Sequence, residues 1–161
     1  MKRLMLITVL CMGMHTVLQA QNQDQQARID IVRVGSMSPT QGPKAHFTGD
    51  VQAYYSIPGG HPPNVSGGIV MFKPGERTVW HTHPKGQRTV IIQGAGWVQQ
   101  WGEPKIDVSI GDVIWIPPGV KHWHGATATT GMSHYAFAER DGDKGLVENM
   151  EPVTDTQYNG K

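Results

Sequence analysis

From Ile31 onward, apolar residues occur in short runs that glycine and proline interrupt, with little of the 3.6-residue periodicity of amphipathic helices. Many short runs at regular spacing are typical of a β-sandwich or β-barrel, so an all-β fold is expected. The predicted strands are Ile31–Val34, Val51–Ile57, Gly68–Phe72, Arg88–Gln93, Gly96–Trp101, Ile106–Ser109, Asp112–Ile116 and Met132–Glu139.

The chain after residue 30 reads as one domain. Its breaks are tight turns such as Pro74-Gly75 and Gly94-Ala95-Gly96, and no repeat, low-complexity tract or linker separates the runs. The tail after Val153 predicts one short helical turn capped by Thr154. We therefore expect a single domain over residues 31–161, with a loose polar segment at 21–30 before it.

The first twenty residues have the pattern of a secretory signal peptide. Lys2 and Arg3 precede an apolar run that ends at Ala20, and a polar stretch follows. The run is too short to span a bilayer comfortably, so cleavage after Ala20 is favoured over a membrane anchor. Residues 1–20 are thus predicted to be a signal peptide, and the mature protein is expected in the periplasm without a stable membrane anchor.

Charge and cysteine content narrow the function classes. The chain has 14 Lys+Arg and 13 Asp+Glu, and loss of Lys2 and Arg3 leaves 12 against 13. A nearly neutral chain without a basic run argues against a nucleic-acid partner. The only cysteine, Cys11, lies in the predicted signal peptide, so any metal in the mature protein must be held by histidine, carboxylate or amide groups.

Five histidines after residue 80 include two pairs with the same spacing. His81 and His83 are two residues apart, as are His122 and His124, so each pair shares one face of a strand. Imidazole suits Mn, Fe, Ni, Cu and Zn, and pairs from two strands bring several nitrogens to one ion. A lone histidine is more often a surface or hydrogen-bonded residue, but two pairs framed by glycines predict a metal site.

Both pairs lie inside longer patterns that resemble the two motifs of the cupin family. The first is Gly75-x5-His81-x-His83-x3-Gln87-x6-Gly94, and the second is Gly111-x5-Pro117-x-Gly119-x2-His122. The resemblance implies a cupin jelly-roll β-barrel that binds one divalent ion through His81, His83, Gln87 and His122.

The chain departs from the usual cupin motifs at two positions. Gln87 stands where the first motif usually has glutamate, and Ala126 stands where the second usually ends in asparagine. With three neutral imidazoles and a neutral amide, a bound ion keeps its full +2 charge, which favours an anionic ligand and Lewis-acid chemistry over oxidation.

A narrower resemblance extends over most of the mature chain. Segments such as Arg33-Val34-Gly35-Ser36, Phe47-Thr48-Gly49, Trp80-His81-Thr82-His83-Pro84 and His122-Trp123-His124-Gly125-Ala126 resemble bacterial manganese-dependent cupin hydroxynitrile lyases. These enzymes cleave cyanohydrins such as (R)-mandelonitrile to an aldehyde and HCN. The resemblance implies Mn²⁺, a pocket histidine at His134 with His124 nearby, and a homo-oligomer, either a dimer or a tetramer. Ala138 stands where the relatives have a pocket glutamine.

The residues are compatible with that chemistry. His134 is predicted to accept the hydroxyl proton, His124 to bind the nitrile or steady the base, and Thr78 to donate to the substrate oxygen or the cyanide. Small and apolar groups are predicted to leave room for an aromatic aldehyde. These pocket residues are Gly68, Val70, Phe72, Ala136 and Ala138.

Several alternatives stay open at this point. The ion is expected to be Mn²⁺, but the same donors suit Fe, Zn, Ni and Cu. A metal-dependent dioxygenase or decarboxylase, or a non-catalytic metal- or ligand-binding cupin, fits the same scaffold. The five tryptophans are expected to pack in the core and at its rim, Arg77 and Lys121 are expected to be solvated, and His46 and His61 are given no role.

Overall fold

The computed structural model describes residue 29, residues 31–57 and residues 64–160. The predicted signal peptide, residues 1–20, lies outside the described residues, as do His61 and, apart from Ile29, the segment 21–30. The chain divides into two compact units, Met1–Arg33 and Val34–Lys161. All strands among the described residues lie in the second unit.

This second unit consists almost entirely of strands, which confirms the predicted all-β class. The one α-helix among the described residues, α1, is Asp155–Asn159, and 3₁₀ turns occur at Val34–Ser36 and Gly142–Lys144. The twelve strands are β1 Thr40–Gln41, β2 Phe47–Thr48, β3 Gln52–Ile57, β4 Val65–Phe72, β5 Arg77–Thr78, β6 His81–Thr82, β7 Gln87–Gln100, β8 Ile106–Ser109, β9 Val113–Ile116, β10 His122–Ala126, β11 Met132–Glu139 and β12 Glu148–Asn149.

The strand predictions from Val51 onward are confirmed in position, but the first predicted strand is wrong and the two-residue strands were not predicted. The predicted strand at 31–34 is wrong, since residues 31–33 are irregular and Ile31 is 57% exposed. Two predicted strands, 88–93 and 96–101, are one continuous strand, β7. The two-residue strands are too short to show an alternation of apolar and polar residues, and the sequence did not indicate them.

The strands form a curled sheet in the order β1-β3-β4-β11-β7-β10-β5-β2, and every strand pair among the described residues is antiparallel. The long strand β7 joins the two walls of the barrel. Its first half pairs with β9 and β11, and its second half pairs with β8 and β10. This arrangement places the inward faces of β4, β5, β10 and β11 around one interior.

Glycines are required where β7 passes from one wall to the other. A Cβ at Gly94, whose φ is +70°, would lie 1.9 Å from the carbonyl oxygen of Gly131. At Gly96 it would lie 2.2 Å from the carbonyl oxygen of Gly125. Only glycine lets neighbouring backbones approach this closely, so these two positions set how β10 and β11 pack on β7.

Two apolar clusters fill the barrel. The larger joins both walls through residues that include Phe72, Ile91 and Met132. The smaller surrounds Trp80 and Trp123 and holds the C-terminal tail through Val153 and Tyr158. The expected role of the tryptophans is thus seen, with Trp80 and Trp123 fully buried in this cluster, while Trp101 and Trp115 are about half exposed at the rim.

The predicted C-terminal turn is present as α1. Thr154 is its N-cap and accepts a hydrogen bond from the Gln157 backbone N–H, while the Gln157 side chain accepts one from the Thr154 N–H. This reciprocal capping box satisfies two donors at the start of the helix. Across the described part of the chain, no helix is long and apolar enough to cross a membrane.

Candidate metal centre and cavity

Three of the predicted ligands converge inside the barrel. His81 lies on β6, directly opposite His122 on β10, and His83 is the first residue after β6. One ring nitrogen from each of the three lies within 4.8 Å of the others. The side chains are buried, with 4%, 4% and 1% of His81, His83 and His122 exposed. Strand pairing therefore assembles the candidate site, because the two-residue spacing turns both histidines of the first pair inward.

Each of the three rings is oriented by a backbone carbonyl. The Nδ1 atoms of His81 and His122 lie 2.9 Å from the carbonyl oxygens of Val79 and Val120 respectively. The Nδ1 atom of His83 lies 2.8 Å from the Leu146 carbonyl oxygen. In a neutral imidazole, an Nδ1–H that donates to a carbonyl leaves Nε2 as the atom with the lone pair. The structure thus prepares Nε2 of all three rings for a metal ion.

Burial keeps these imidazoles uncharged. Desolvation lowers the pKa of His122 to about 4, and it lowers the pKa of His81 well below its usual value, with a further contribution from His122 and His83. The pKa of His83 is also lowered, chiefly by desolvation. A metal ion binds neutral imidazole, so no proton competes with it near neutral pH.

Gln87, the predicted fourth ligand, lines the cavity beside these histidines. It begins β7 and is 7% exposed, and its Oε1 has no hydrogen-bond partner within the described protein. The Nε2 atoms of His83 and His122 are buried and unpartnered in the same way. Buried polar atoms are nearly always paired, so these three unpartnered atoms, two of them on the converging histidines, fit a bound cation. The donor set of three imidazoles and one amide fits a divalent transition metal and does not by itself select one.

A cavity of about 130 Å³ opens onto this cluster. An engineered apolar cavity of about 150 Å³ is known to bind benzene, so the space accommodates a single small ring. Most of its wall is apolar or histidine, and no lysine, arginine, aspartate or glutamate lines it among the described residues. A neutral, mostly apolar ligand is therefore favoured at this site.

Four of the five predicted pocket residues line the cavity: Gly68, Val70, Ala136 and Ala138. The prediction for Phe72 needs correction, because Phe72 is not among the lining residues and packs in the larger apolar cluster with 3% exposure. Its ring lies behind the wall, with ring centres 5.4 Å from His134 and 6.0 Å from His124. Position 68 also requires glycine, because a Cβ there would lie 2.2 Å from the Tyr54 carbonyl oxygen.

The three predicted catalytic residues do not occupy equivalent places. Thr78 and His124 line the cavity, and the Thr78 hydroxyl accepts a hydrogen bond from the His124 backbone N–H at 3.2 Å. His134 is 1% exposed and does not line the cavity; its ring centre lies 4.8 Å from that of His124. Burial lowers the pKa of His134 to about 4 and that of His124 well below its usual value. Both rings are therefore neutral at pH 7, and His124 is the one that faces the ligand space.

Other lining residues were missed by sequence reasoning. His46, to which no role was given, lies at the cavity beside the edge strand β2, and Tyr55 and Asn149 also line it. Leu146 and Val147 line it from the loop before β12. Tyr55 lies on β3, a strand that the sequence predicted, but nothing in the sequence indicated that it lines a cavity. The sequence offered no signal for the others because they come from loops and a two-residue strand that long-range pairing brings together.

Arg77 is also not where it was expected. It was predicted to be solvated, but it is 6% exposed and its guanidinium donates to the Val153 carbonyl oxygen and to Asp155. Lys121 is partly buried over the Trp101 ring at 3.6 Å and forms an ion pair with Glu151. Both side chains therefore make structural contacts within the barrel wall and with the C-terminal region.

Comparison with known proteins agrees with this geometry. The family described as the Cupin domain matches residues 68–136, which include the candidate ligands and part of the cavity wall. A protein of Granulicella tundricola named (R)-mandelonitrile lyase is 46% identical over 130 residues, or 81% of this chain and 98% of that protein. The chain belongs to the cupin family. The cupin resemblance in the sequence is thereby confirmed, as is the barrel fold that it implied.

Solved cupin structures share the fold over most of the chain. A cupin-like protein from Thermotoga maritima is 34% identical, covers 82% of this chain and 96% of its own, and has a TM-score of 0.70. The polyketide cyclase RemF from Streptomyces resistomycificus is 14% identical, with coverages of 82% and 92% and a TM-score of 0.63. At 14% identity, the second likeness concerns the fold alone.

Proposed function

We propose that this cupin is a metal-dependent carbon–carbon lyase that cleaves or forms cyanohydrins such as (R)-mandelonitrile. The observation that carries the proposal is the convergence of three neutral imidazoles beside a small cavity that His124 also lines and whose described lining residues include no charged side chain. The relative named (R)-mandelonitrile lyase supports the same reaction class. A neutral aromatic cyanohydrin matches both the size and the polarity of the cavity.

The proposed cofactor is Mn²⁺, held by His81, His83, Gln87 and His122. When bound, a divalent ion supplies a Lewis acid that polarises the substrate oxygen. All four donors are neutral, so they do not offset its charge. Fe, Zn, Ni and Cu suit the same nitrogens, and metal analysis of the purified protein decides among them.

The chain positions the substrate between an apolar wall and a polar end. Val70, Ala136 and Ala138 offer the apolar surface for the ring of the aldehyde. Thr78 uses its hydroxyl oxygen as an acceptor for the His124 N–H, so its proton is left to donate to the substrate oxygen or the nitrile. Exclusion of water from this wall strengthens these polar contacts.

The His124–His134 pair takes up the hydroxyl proton. Cleavage breaks the bond between the carbinol carbon and the nitrile carbon, whose electron pair leaves with cyanide while the oxygen forms the carbonyl. The proton from the hydroxyl passes to the pair and then to cyanide, giving HCN. His124 is the member in contact with the cavity, and His134 lies directly behind it. Both are neutral and therefore able to accept a proton.

The test combines metal analysis with product release. The purified protein is stripped of metal, supplied with Mn²⁺, and assayed for benzaldehyde release from (R)-mandelonitrile. We expect release only with metal, loss of metal in His83→Ala, and loss of release with unchanged metal content in His124→Ala and His134→Ala. Release no greater than that of the metal-free protein, accompanied by O₂ uptake on phenolic or dicarbonyl substrates, would overturn the lyase proposal.

The decarboxylase alternative is not favoured by the cavity. A carboxylate substrate needs a cationic partner, and no lysine or arginine lines the cavity among the described residues. The periplasmic location and the dimeric or tetrameric state stay predictions of the sequence, with cell fractionation and size-exclusion chromatography as their measurements.

A further inference from the structure

One buried hydroxyl near the site has no role in the chemistry described so far. Thr89 lies on β7 and is 2% exposed, and its Oγ1 has no hydrogen-bond partner within the described protein. A threonine hydroxyl in a strand interior usually finds a backbone or side-chain partner when it is buried. The sequence alone gave this residue no significance, since it reads as an ordinary strand residue.

Strand register places Thr89 beside the histidine pair. Thr89 shares the inward face of β7 with Gln87 and Ile91, because these three buried residues alternate with the less buried Arg88 and Val90. Across the β7–β11 pair, Thr89 lies opposite Ala136 and Ile91 lies opposite His134. Thr89 and His134 are therefore diagonal neighbours on one face, at a typical separation of about 7–8 Å between Cα atoms.

The same region contains other buried atoms in need of partners. Both ring nitrogens of His134 and both of His124 have no hydrogen-bond partner within the described protein. A neutral imidazole has one donor and one acceptor, and a hydroxyl has both. His134 neighbours both Thr89 and His124, so its ring can share a buried water with the Thr89 hydroxyl; such a water typically makes about three hydrogen bonds.

We propose that Thr89 is a positioning residue for His134. Its hydroxyl hydrogen-bonds to the His134 ring through one bridging water and so determines which ring nitrogen carries the proton. Ala136 is small and leaves the space between them free of a bulky side chain. His134 then presents a defined nitrogen to His124, as the proposed proton transfer requires. The inference rests on the proposed function for its effect on catalysis, but the hydrogen bond to His134 is independent of the reaction.

The test uses Thr89→Val, which keeps the shape and removes the hydroxyl, and Thr89→Ser, which keeps the hydroxyl. Ser133→Ala is the matched control, because Ser133 is also a buried hydroxyl next to His134 in the chain but donates to Gln93 instead. Each protein is loaded with Zn²⁺ for ¹⁵N NMR of its labelled histidines, which reports the tautomer of His134. Each is loaded with Mn²⁺ for kcat and KM on (R)-mandelonitrile.

We expect one His134 tautomer in the unmodified protein, Thr89→Ser and Ser133→Ala, and a mixture in Thr89→Val. We also expect kcat to fall about tenfold in Thr89→Val, with KM and metal content unchanged. A loss of this size is typical when a hydrogen bond that orients a functional histidine is removed. If Thr89→Val gives no folded spectrum, Thr89→Ala takes its place.

The outcomes separate the two proposals. An unchanged His134 tautomer in Thr89→Val overturns the positioning role, whatever the activity. A mixture of His134 tautomers in Thr89→Val supports the positioning role even if the unmodified protein releases no benzaldehyde. The absence of benzaldehyde release from the unmodified protein would overturn the lyase function. A fall in kcat that Thr89→Ser does not restore contradicts the hydroxyl as its cause.

Discussion

Replacement of Arg77 by methionine tests how the C-terminal tail is held to the wall that carries Thr78. The guanidinium donates twice to the Val153 carbonyl oxygen and once, at 3.2 Å, to the Gly75 carbonyl oxygen. It also contacts Asp155 at 2.7 Å and lies 4.4 Å from the centre of the Tyr158 ring. Methionine keeps the apolar stem of the side chain and removes all of these contacts.

The expected loss follows from the burial of each partner. A hydrogen bond to a charged group contributes about 1.5–3 kcal/mol, so the Val153 carbonyl dominates the loss. Asp155 is 88% exposed, and an ion pair with so exposed a partner contributes less than about 1 kcal/mol. The contact with the Tyr158 ring contributes about 0.5–1 kcal/mol. We expect the free energy of unfolding to fall by about 3–4 kcal/mol, which lowers Tm by roughly 10 °C in a protein of this size.

The assay is thermal and urea denaturation of Arg77→Met with Arg88→Met as the matched control. Arg88 lies on β7 at the surface, and its guanidinium lies over the half-exposed Trp115 ring, 5.0 Å from the ring centre. Its replacement is expected to change the free energy of unfolding by less than about 1 kcal/mol. An equal fall in the free energy of unfolding for the two variants would refute the claim that the buried contacts of Arg77 with the C-terminal tail stabilise the protein.

Three further predictions concern the site and its supports. Gln87→Glu adds an anionic ligand, so we expect about tenfold slower metal loss to a chelator and slower benzaldehyde release; faster metal loss would contradict the donor role. Gly94→Ala should lower the free energy of unfolding by at least about 2 kcal/mol more than Gly119→Ala. Both glycines have positive φ, but only the first meets a backbone atom within 4 Å, and equal losses in urea would refute the steric argument. In metal-free protein, the folded-state pKa of His134, about 4, lies below its unfolded value, so stability should fall as pH drops from about 6.5 to 4. His134→Asn should reduce this slope in urea titrations by up to about 1.4 kcal/mol per pH unit, and an unchanged slope would contradict it.

The sequence by itself predicted the chemistry of the ligands and the class of the fold. The two-residue spacing of His81 and His83 puts both side chains on one face, and the same spacing recurs at His122 and His124. These are local rules of strand geometry, and they hold wherever the strand lies. The same alternation correctly grouped Ala136 and Ala138 with His134 on the inward face of β11.

Tertiary structure alone decided which members of an inward face reach the ligand. Val70 lines the cavity while Phe72, two residues later on the same face, is packed behind the wall, because the curvature of the barrel covers one end of β4. In the same way His124 faces the cavity and His134 lies behind it. Alternation assigns a side chain to a face, but which neighbouring strand covers it depends on long-range pairing that a single sequence does not display.

Burial of charge was likewise a tertiary outcome. Arg77 reads in the sequence as a solvated cation, yet the tail residues Val153 and Asp155 return to it from more than seventy positions away. The Leu146 carbonyl that orients His83 also comes from a distant loop. The sequence therefore determined the donor atoms of the candidate centre and the barrel that contains them. The tertiary structure decided the tautomers of the rings, the depth of each histidine and the shape of the space in front of them, because these depend on backbone groups that only the folded chain brings together.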